Sequence, residues 1–195
     1  MINKIILASK SEVRKKILKE NHIDCETIIS NVDEDQIKES LLKENATPEI
    51  ISKNLAELKA NKISIKKPED LVLGADSVVD LKGELISKPK NRDEALNILK
   101  KLNGKKHQRI SSVCISTNGS MVWNYTDAST LTMKQLNLDE IKSYLEKIRD
   151  KELYAYGDYQ IEADGTYLFS KIEGNEDSIM GVPVKQIKEY LNTLT

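Results

Sequence analysis

The chain has 195 residues, 39% of them hydrophobic and spread along its length, which is enough for one sizeable core and too apolar for a disordered chain. Thirty lysines and arginines against 31 aspartates and glutamates give a net charge of -1, so no global field attracts a nucleic-acid backbone. No apolar run reaches the roughly 18 residues of a membrane span, and the one near the amino terminus is too short for a signal-peptide core; no membrane association and a cytoplasmic location are expected.

Ile5, Ile6 and Leu7 form a short strand that stops at Ala8-Ser9 and gives way to a charged helix from Ser11 to Glu20. A second strand is expected over Glu26 to Ser30, followed by a polar, helical stretch from Asp33-Glu34-Asp35 to Asn45. Thr47 then caps a long helix with Pro48 at its first position, its inner face reading Ile51, Leu55 and Leu58. The run Leu71 to Val79 is too apolar to be half exposed and reads as a buried central strand carrying a single carboxylate, Asp76.

After a turn at Lys82-Gly83, a short strand Glu84 to Ile86 runs into Ser87-Lys88-Pro89, where proline forces the backbone out of regular structure. Arg92 to Leu102 is a helix packed through Ala95, Leu99 and Leu102 and stopped by Asn103-Gly104. Gln108 to Thr117 and Met121 to Met133 flank Asn118-Gly119, the dipeptide of a type I′ hairpin, so half of the sheet is antiparallel. Leu138, Ile141, Leu145 and Ile148 mark a helix, Tyr167 to Ile172 a strand, and Val184, Ile187, Leu191 and Leu194 a closing helix. The fold class is mixed α/β, and residues 1-195 form a single domain.

Neither common glycine-rich phosphate loop is present. Ser9-Lys10-Ser11-Glu12-Val13-Arg14 sits where a strand turns into a helix, so its serines either cap the helix or, with Arg14, form an anion site. Asp76 is the stronger signal, because a buried carboxylate needs a partner or a metal; the plain alternative is hydrogen bonding to Ser77 or to loop backbone. Asp33-Glu34-Asp35 either completes an oxygen-rich site with Asp76 or is a solvated helix start. Lys59 and Lys88 are ordinary on their own, although Lys88 is fixed beside Pro89. Cys25 and Cys114 lack metal-binding spacing and are expected as buried free thiols, and His22 and His107 cannot build a zinc cage. A metal here would be held by carboxylates, which favours a hard ion such as Mg2+ or Mn2+. Two carboxylates, an arginine, two lysines and a strand-to-helix anion site are an inventory for metal-assisted phosphoryl chemistry.

Taken in order, Leu7-Ala8-Ser9-x-Ser11-x-x-Arg14, Asp33-Glu34, Leu55-Ala56-x-x-Lys59-Ala60, Gly74-Ala75-Asp76-Ser77-Val78-Val79 and Lys88-Pro89 resemble the Maf family. The series continues with Ala95-x-x-x-Leu99-x-x-Leu102-x-Gly104-x-x-His107, Gly157-x-Tyr159-x-x-Glu162, Ile172-x-Gly174 and Met180-Gly181-Val182-Pro183, covering essentially the whole chain. The resemblance implies an elongated central sheet with flanking helices and two lobes around a cleft, related to the inosine triphosphate pyrophosphatases and often dimeric. It also implies hydrolysis of a nucleoside triphosphate to the monophosphate and pyrophosphate. On matching positions, Glu34 and Asp76 would hold the metal, with Asp76 also the general base. Ser9, Ser11, Arg14, Lys59 and Lys88 would grip the triphosphate, Lys88 taking part in catalysis, and Glu162 would touch the substrate.

The sequence departs from the family pattern at particular places. Ser-Pro-Arg-Arg has become Ser11-Glu12-Val13-Arg14, so one arginine is missing. His-x-Val-x-Thr has become His107-Gln108-Arg109-Ile110-Ser111, and Arg109 would replace the lost charge if it points into the cleft. Glu162 and the acidic Gly174-Asn175-Glu176-Asp177 lean towards the branch acting on 7-methyl-GTP, whereas Ala75-Asp76-Ser77 leans towards the branch acting on dTTP and UTP; pyrimidine triphosphates are the expectation taken. The alternative is a nucleotide-binding regulator of cell division with little catalysis.

Overall fold

A computed structural model describes residues 5-156, 159, 161 and 164-194. In chain order the strands are β1 (Ile5–Leu7), β2 (Glu26–Thr27), β3 (Leu71–Leu81), β4 (Glu84–Ile86), β5 (Lys106–Thr117), β6 (Ser120–Met133) and β7 (Phe169–Glu173). The helices are α1 (Glu12–Glu20), α2 (Glu34–Lys43), α3 (Pro48–Ser64), α4 (Arg92–Leu102), α5 (Leu138–Lys147), α6 (Asp150–Tyr156), α7 (Glu176–Ile179) and α8 (Val184–Asn192), with a 3-10 turn at Asp164–Leu168. No helix among the described residues is long and apolar enough to cross a membrane.

The strands make one mixed sheet in the order β2-β1-β3-β5-β6-β7. β2, β1 and β3 run parallel, and β3, β5, β6 and β7 run antiparallel, as the mixed α/β expectation requires. The β5–β6 hairpin turns on Asn118 (φ 47) and Gly119 (φ 78), the paired positive values of a type I′ turn.

β3 is the strand that organises the molecule. One edge pairs with β5 from Val72 to Asp80. The other edge is divided: β1 occupies it as far as Leu73, where the Ala8 amide donates to the Leu73 carbonyl at 2.8 Å, and β4 takes it up again at Val79. Gly74 to Val78 therefore face an opening between two short strands. Side chains alternate across the sheet. Val72, Gly74 and Asp76 face α3, where Ile6, Ala8, Ala56, Ala60, Ile63 and Cys114 pack with Val72. Leu73 and Ala75 face the opposite way, against α1 and α8. Further along that same face Val79 and Leu81 join α4 and α5 through Leu99, Leu102, Ile141 and Leu145.

Contact with β3 sets the roll of α3. A Cβ on Gly74 would lie 2.1 Å from the Ala56 carbonyl oxygen and 2.8 Å from the Ala60 amide nitrogen, distances that no real side chain tolerates. Only glycine facing alanine allows strand and helix to meet this closely. The buried arc of α3 therefore runs through Ser52, Ala56, Lys59, Ala60 and Ile63, and Leu58, expected inside, is 40% exposed. A lysine is carried into the interior as a result.

The other differences from expectation have local causes. β2 ends at Thr27 rather than Ser30 because its partner β1 is only three residues long. The strand expected from Tyr167 starts at Phe169, since the preceding residues close the 3-10 turn. Leu194 lies beyond α8 and is 41% exposed. α6 and α7, of seven and four residues, are too short to leave a readable apolar period. Cys114 is buried and Cys25 half-buried, both as free thiols.

Candidate active site

Ser9 to Arg14 enter the opening beside β3 from one side. Ser11 caps α1, its Oγ accepting from the Arg14 amide at 3.4 Å, so the capping function expected of it is present. Ser9 Oγ in turn accepts from the Ser11 amide at 3.2 Å. One turn into the helix, Arg14 reaches the bare edge of β3. Its Nη1 donates to the Ala75 carbonyl at 3.0 Å and to Ser9 Oγ at 3.3 Å, Nη2 donates to Ser77 Oγ at 3.0 Å, and Nε donates to the Gly181 carbonyl at 3.2 Å. Four of the five guanidinium N–H groups are thus bonded to protein. Arg14 is first a clasp across the opening, and what it offers a phosphate is less than the bidentate fork expected of it. Burial lowers its pKa from the ordinary arginine value, and nearby Arg109 adds to that, without bringing it near neutrality.

On the α3 face, Asp76 is 5% exposed. Its Oδ1 accepts from Lys59 Nζ at 2.8 Å, and the same ammonium lies 2.9 Å from Glu34 Oε1. Neither Ser77 nor loop backbone partners this carboxylate; Lys59 does. Asp76 Oδ2 is buried with no hydrogen-bond partner, which is costly for a carboxylate oxygen unless something else is bound there. Of the acidic triplet, Asp33 caps α2 by accepting from the Gln36 amide at 3.1 Å. Asp35 is exposed, and Glu34 alone turns inward. Burial would raise the Glu34 pKa, but Lys59, Lys38 and Lys88 together hold it below the ordinary glutamate value. Lys38, one helical turn on from Glu34 and 3.9 Å from its Oε2, was not singled out in the sequence, although the i,i+4 spacing was there to be read.

Ser9, Ser11, Arg14, Glu34, Lys59, Asp76 and Lys88 all line one cleft of about 450 Å3. Glu162 lies outside the described residues. Arg109 lines the same cleft, so the condition attached to it in the sequence is met. Lys88 stands exposed at the mouth. Desolvation by the cleft walls, then the charges of Arg14 and Arg109, lower its pKa to about 8. Tyr159 also lines the cleft, its hydroxyl 3.1 Å from Nε2 of the buried His107.

Two carboxylates converge on one point, now filled by the Lys59 ammonium, and Asp76 Oδ2 is left over. Among the described residues no group of three histidine, cysteine or acidic side chains forms. Two convergent carboxylates suit a hard ion of the Mg2+ kind, which takes one or two carboxylates and draws its other ligands from phosphate and water.

A curated relative named nucleoside triphosphate pyrophosphatase, from Pelagibacter ubique, is 67% identical over 194 residues, spanning 100% of both chains. A Brucella abortus protein named 7-methyl-GTP pyrophosphatase is 35% identical over 94% of this chain and 92% of its own. A solved Ham1 protein of Staphylococcus aureus covers 67% of this chain and 72% of that one at 16% identity, with a TM-score of 0.44. The family described as Maf-like protein matches residues 4–194, and the chain belongs to the Maf family.

Proposed function

We propose that this chain hydrolyses nucleoside triphosphates to nucleoside monophosphate and pyrophosphate in the cleft beside β3. The observation that carries the reading is the pairing, within one cleft, of a buried acid whose Oδ2 has no partner with the cations Arg14, Lys88 and Arg109. The activity named for the Pelagibacter relative supports it, given identity over the whole of both chains.

In this reading Glu34 and Asp76 are the ligands of a divalent cation, Mg2+ or Mn2+, which when bound offsets charge on the phosphate oxygens. The chain's own groups do the rest. Asp76 Oδ2 accepts a proton from the water that attacks the α-phosphorus. The bond from that phosphorus to its bridging oxygen breaks, and the electron pair leaves on pyrophosphate. Lys88 and the arginines stabilise the charge growing there, with Lys59 holding the two carboxylates in place beforehand. Ser9 and Ser11 add donors at the amino end of α1, and Glu162 contacts the substrate. Pyrimidine triphosphates are the proposed substrates, because Ala75-Asp76-Ser77 lies at the reacting centre. The chain works as one bilobed unit over 1-195, as a cytoplasmic homodimer.

The test is release of pyrophosphate from dTTP, UTP, CTP, 7-methyl-GTP and ITP with Mg2+ or Mn2+ and with a chelator control. Asp76→Asn is expected to lower the rate at least about 100-fold while melting as a folded protein. Near-wild-type turnover by that variant sinks the proposal, and 7-methyl-GTP as the fastest substrate overturns the pyrimidine assignment alone.

A further inference from the structure

Three cations, Arg14, Lys88 and Arg109, meet in the cleft, and the charges of Arg14 and Arg109 lower the Lys88 pKa. Of the three carboxylates that line the cleft among the described residues, Glu34 and Asp76 are both bonded to Lys59 and Glu12 is exposed. The two arginines are held side by side by carbonyl and hydroxyl groups, an arrangement that an arriving anion relaxes. The two arginines differ in what they have left to give. Arg14 has four N–H groups bonded to protein, whereas Arg109 has one bond, from Nε to the Ile179 carbonyl at 3.3 Å. Among the described residues, both Nη groups of the Arg109 guanidinium are left for a ligand, and the bond at Nε fixes the plane in which they lie. The anchor is shared: Ile179 at the end of α7 and Gly181 two residues further on receive the Nε of Arg109 and of Arg14 respectively.

We propose that Arg109 is the principal phosphate-binding fork of the cleft, making the bidentate contact to the polyphosphate while Arg14 serves mainly to hold the β3 edge together. The inference rests on the triphosphate reading above and deepens it. Arg109 lies on β5 opposite Val79, two residues along the strand from Ser111, whose Oγ is 2.9 Å from Ser77 Oγ. It thus approaches from the α1 side of the sheet, across the opening from Asp76, so one polyphosphate can touch both.

The probe is inorganic tripolyphosphate, titrated calorimetrically into the full-length protein with and without Mg2+, beside steady-state kinetics on UTP. Arg109→Gln should weaken tripolyphosphate binding by about 10- to 100-fold, the range for a charge-assisted hydrogen-bonded contact. KM for UTP and the inhibition constant for pyrophosphate should rise together by a similar factor, while uridine monophosphate inhibition changes less. Tripolyphosphate affinity within about twofold of wild type overturns the inference, as does a wild-type protein that binds no tripolyphosphate. Wild-type protein that binds tripolyphosphate through Arg109 but hydrolyses no nucleotide leaves the fork standing and removes the proposed activity instead. Should Arg109→Gln not fold, Arg109→Lys keeps the charge and loses the fork: weakening of at least about fivefold is expected, and unchanged affinity refutes a bidentate role.

Discussion

Replacing Lys59 with methionine removes the one cation that lies between Glu34 and Asp76 while nearly keeping the side chain's length and apolar stem. The ammonium sits 2.8 Å from Asp76 Oδ1 and 2.9 Å from Glu34 Oε1, with the lysine and aspartate side chains each 7% exposed and the glutamate 34%. Losing one partner of a buried ion pair costs about 3–5 kcal/mol, and the partial hydration of Glu34 places this case towards the lower end. For a chain of this size that corresponds to a fall in Tm of roughly 6–15 °C at pH 8. The pH dependence identifies the cause. In the wild type, Glu34 titrates below its ordinary value of 4.5, so its stabilising contribution is present above that pH and is lost as pH falls through the lower, folded-state value. In the variant the largest attraction is gone and only Lys38 and Lys88 remain to oppose burial, so the folded-state Glu34 pKa rises relative to the wild type and the stabilisation present above the carboxyl range shrinks. The two melting curves should therefore converge towards about pH 4 and separate above about pH 6. Mg2+ or Mn2+ should restore more Tm in the variant than in the wild type, since an added cation meets two carboxylates that have lost their shared ammonium. A gap in Tm that stays constant from pH 4 to pH 8 refutes the shared ion pair, whatever its size.

Gly74→Ala should lower Tm and activity together, because the new Cβ would meet the Ala56 carbonyl at 2.1 Å and displace the helix that carries Lys59; such overpacking costs about 1–3 kcal/mol or more, and an unchanged melt would show that α3 has room to spare. On the alkaline side, kcat/KM should fall with an apparent pKa nearer the value of about 8 held by Lys88 than the ordinary 10.5, since the phosphate needs the ammonium form. Lys88→Arg should carry that limb above pH 10, and a wild-type profile flat to pH 10 would remove Lys88 from substrate binding.

Much of the fold is legible because its signals are local. Ser11, Thr47, Asn118-Gly119 and Asn103-Gly104 punctuate the chain with caps and turns, and α4 packs through the three residues expected of it, Ala95, Leu99 and Leu102. Asp76 stood out because a charge inside an apolar strand has a cost visible from sequence alone. What stayed hidden depends on contacts between distant segments. The roll of α3 is decided by the glycine opposite it, so Ile51 and Leu55 are buried as their spacing predicts, while Leu58 is 40% exposed and Ala56 and Lys59 turn inward instead. The clasp made by Arg14 joins residues 61, 63 and 167 positions away, and the helix period of α1 contains no trace of it. Arg109 was readable as a charge out of place, but the direction it faces is fixed by its register against Val79 and by the Ile179 carbonyl.

The division of the β3 edge explains why such a site exists at this point and how its parts can be separated. In an unbroken sheet the Ala75 carbonyl would be bonded to a neighbouring strand and Asp76 would be sealed beneath it. Here β1 stops at Leu7 and β4 does not begin to pair until Val79, so that carbonyl is satisfied by Arg14 at 3.0 Å and approached by Lys59 at 3.5 Å. Side chains proposed to bind substrate are thus also the side chains that finish the backbone's hydrogen bonding. Replacing Arg14 removes a partner from Ser9, Ala75, Ser77 and Gly181 at once, so a raised KM in that variant could come equally from a lost phosphate contact or from an opened edge. Replacing Arg109 removes a single carbonyl contact. A large effect there on polyphosphate binding, with little change in Tm, can only come from the ligand side of the cleft.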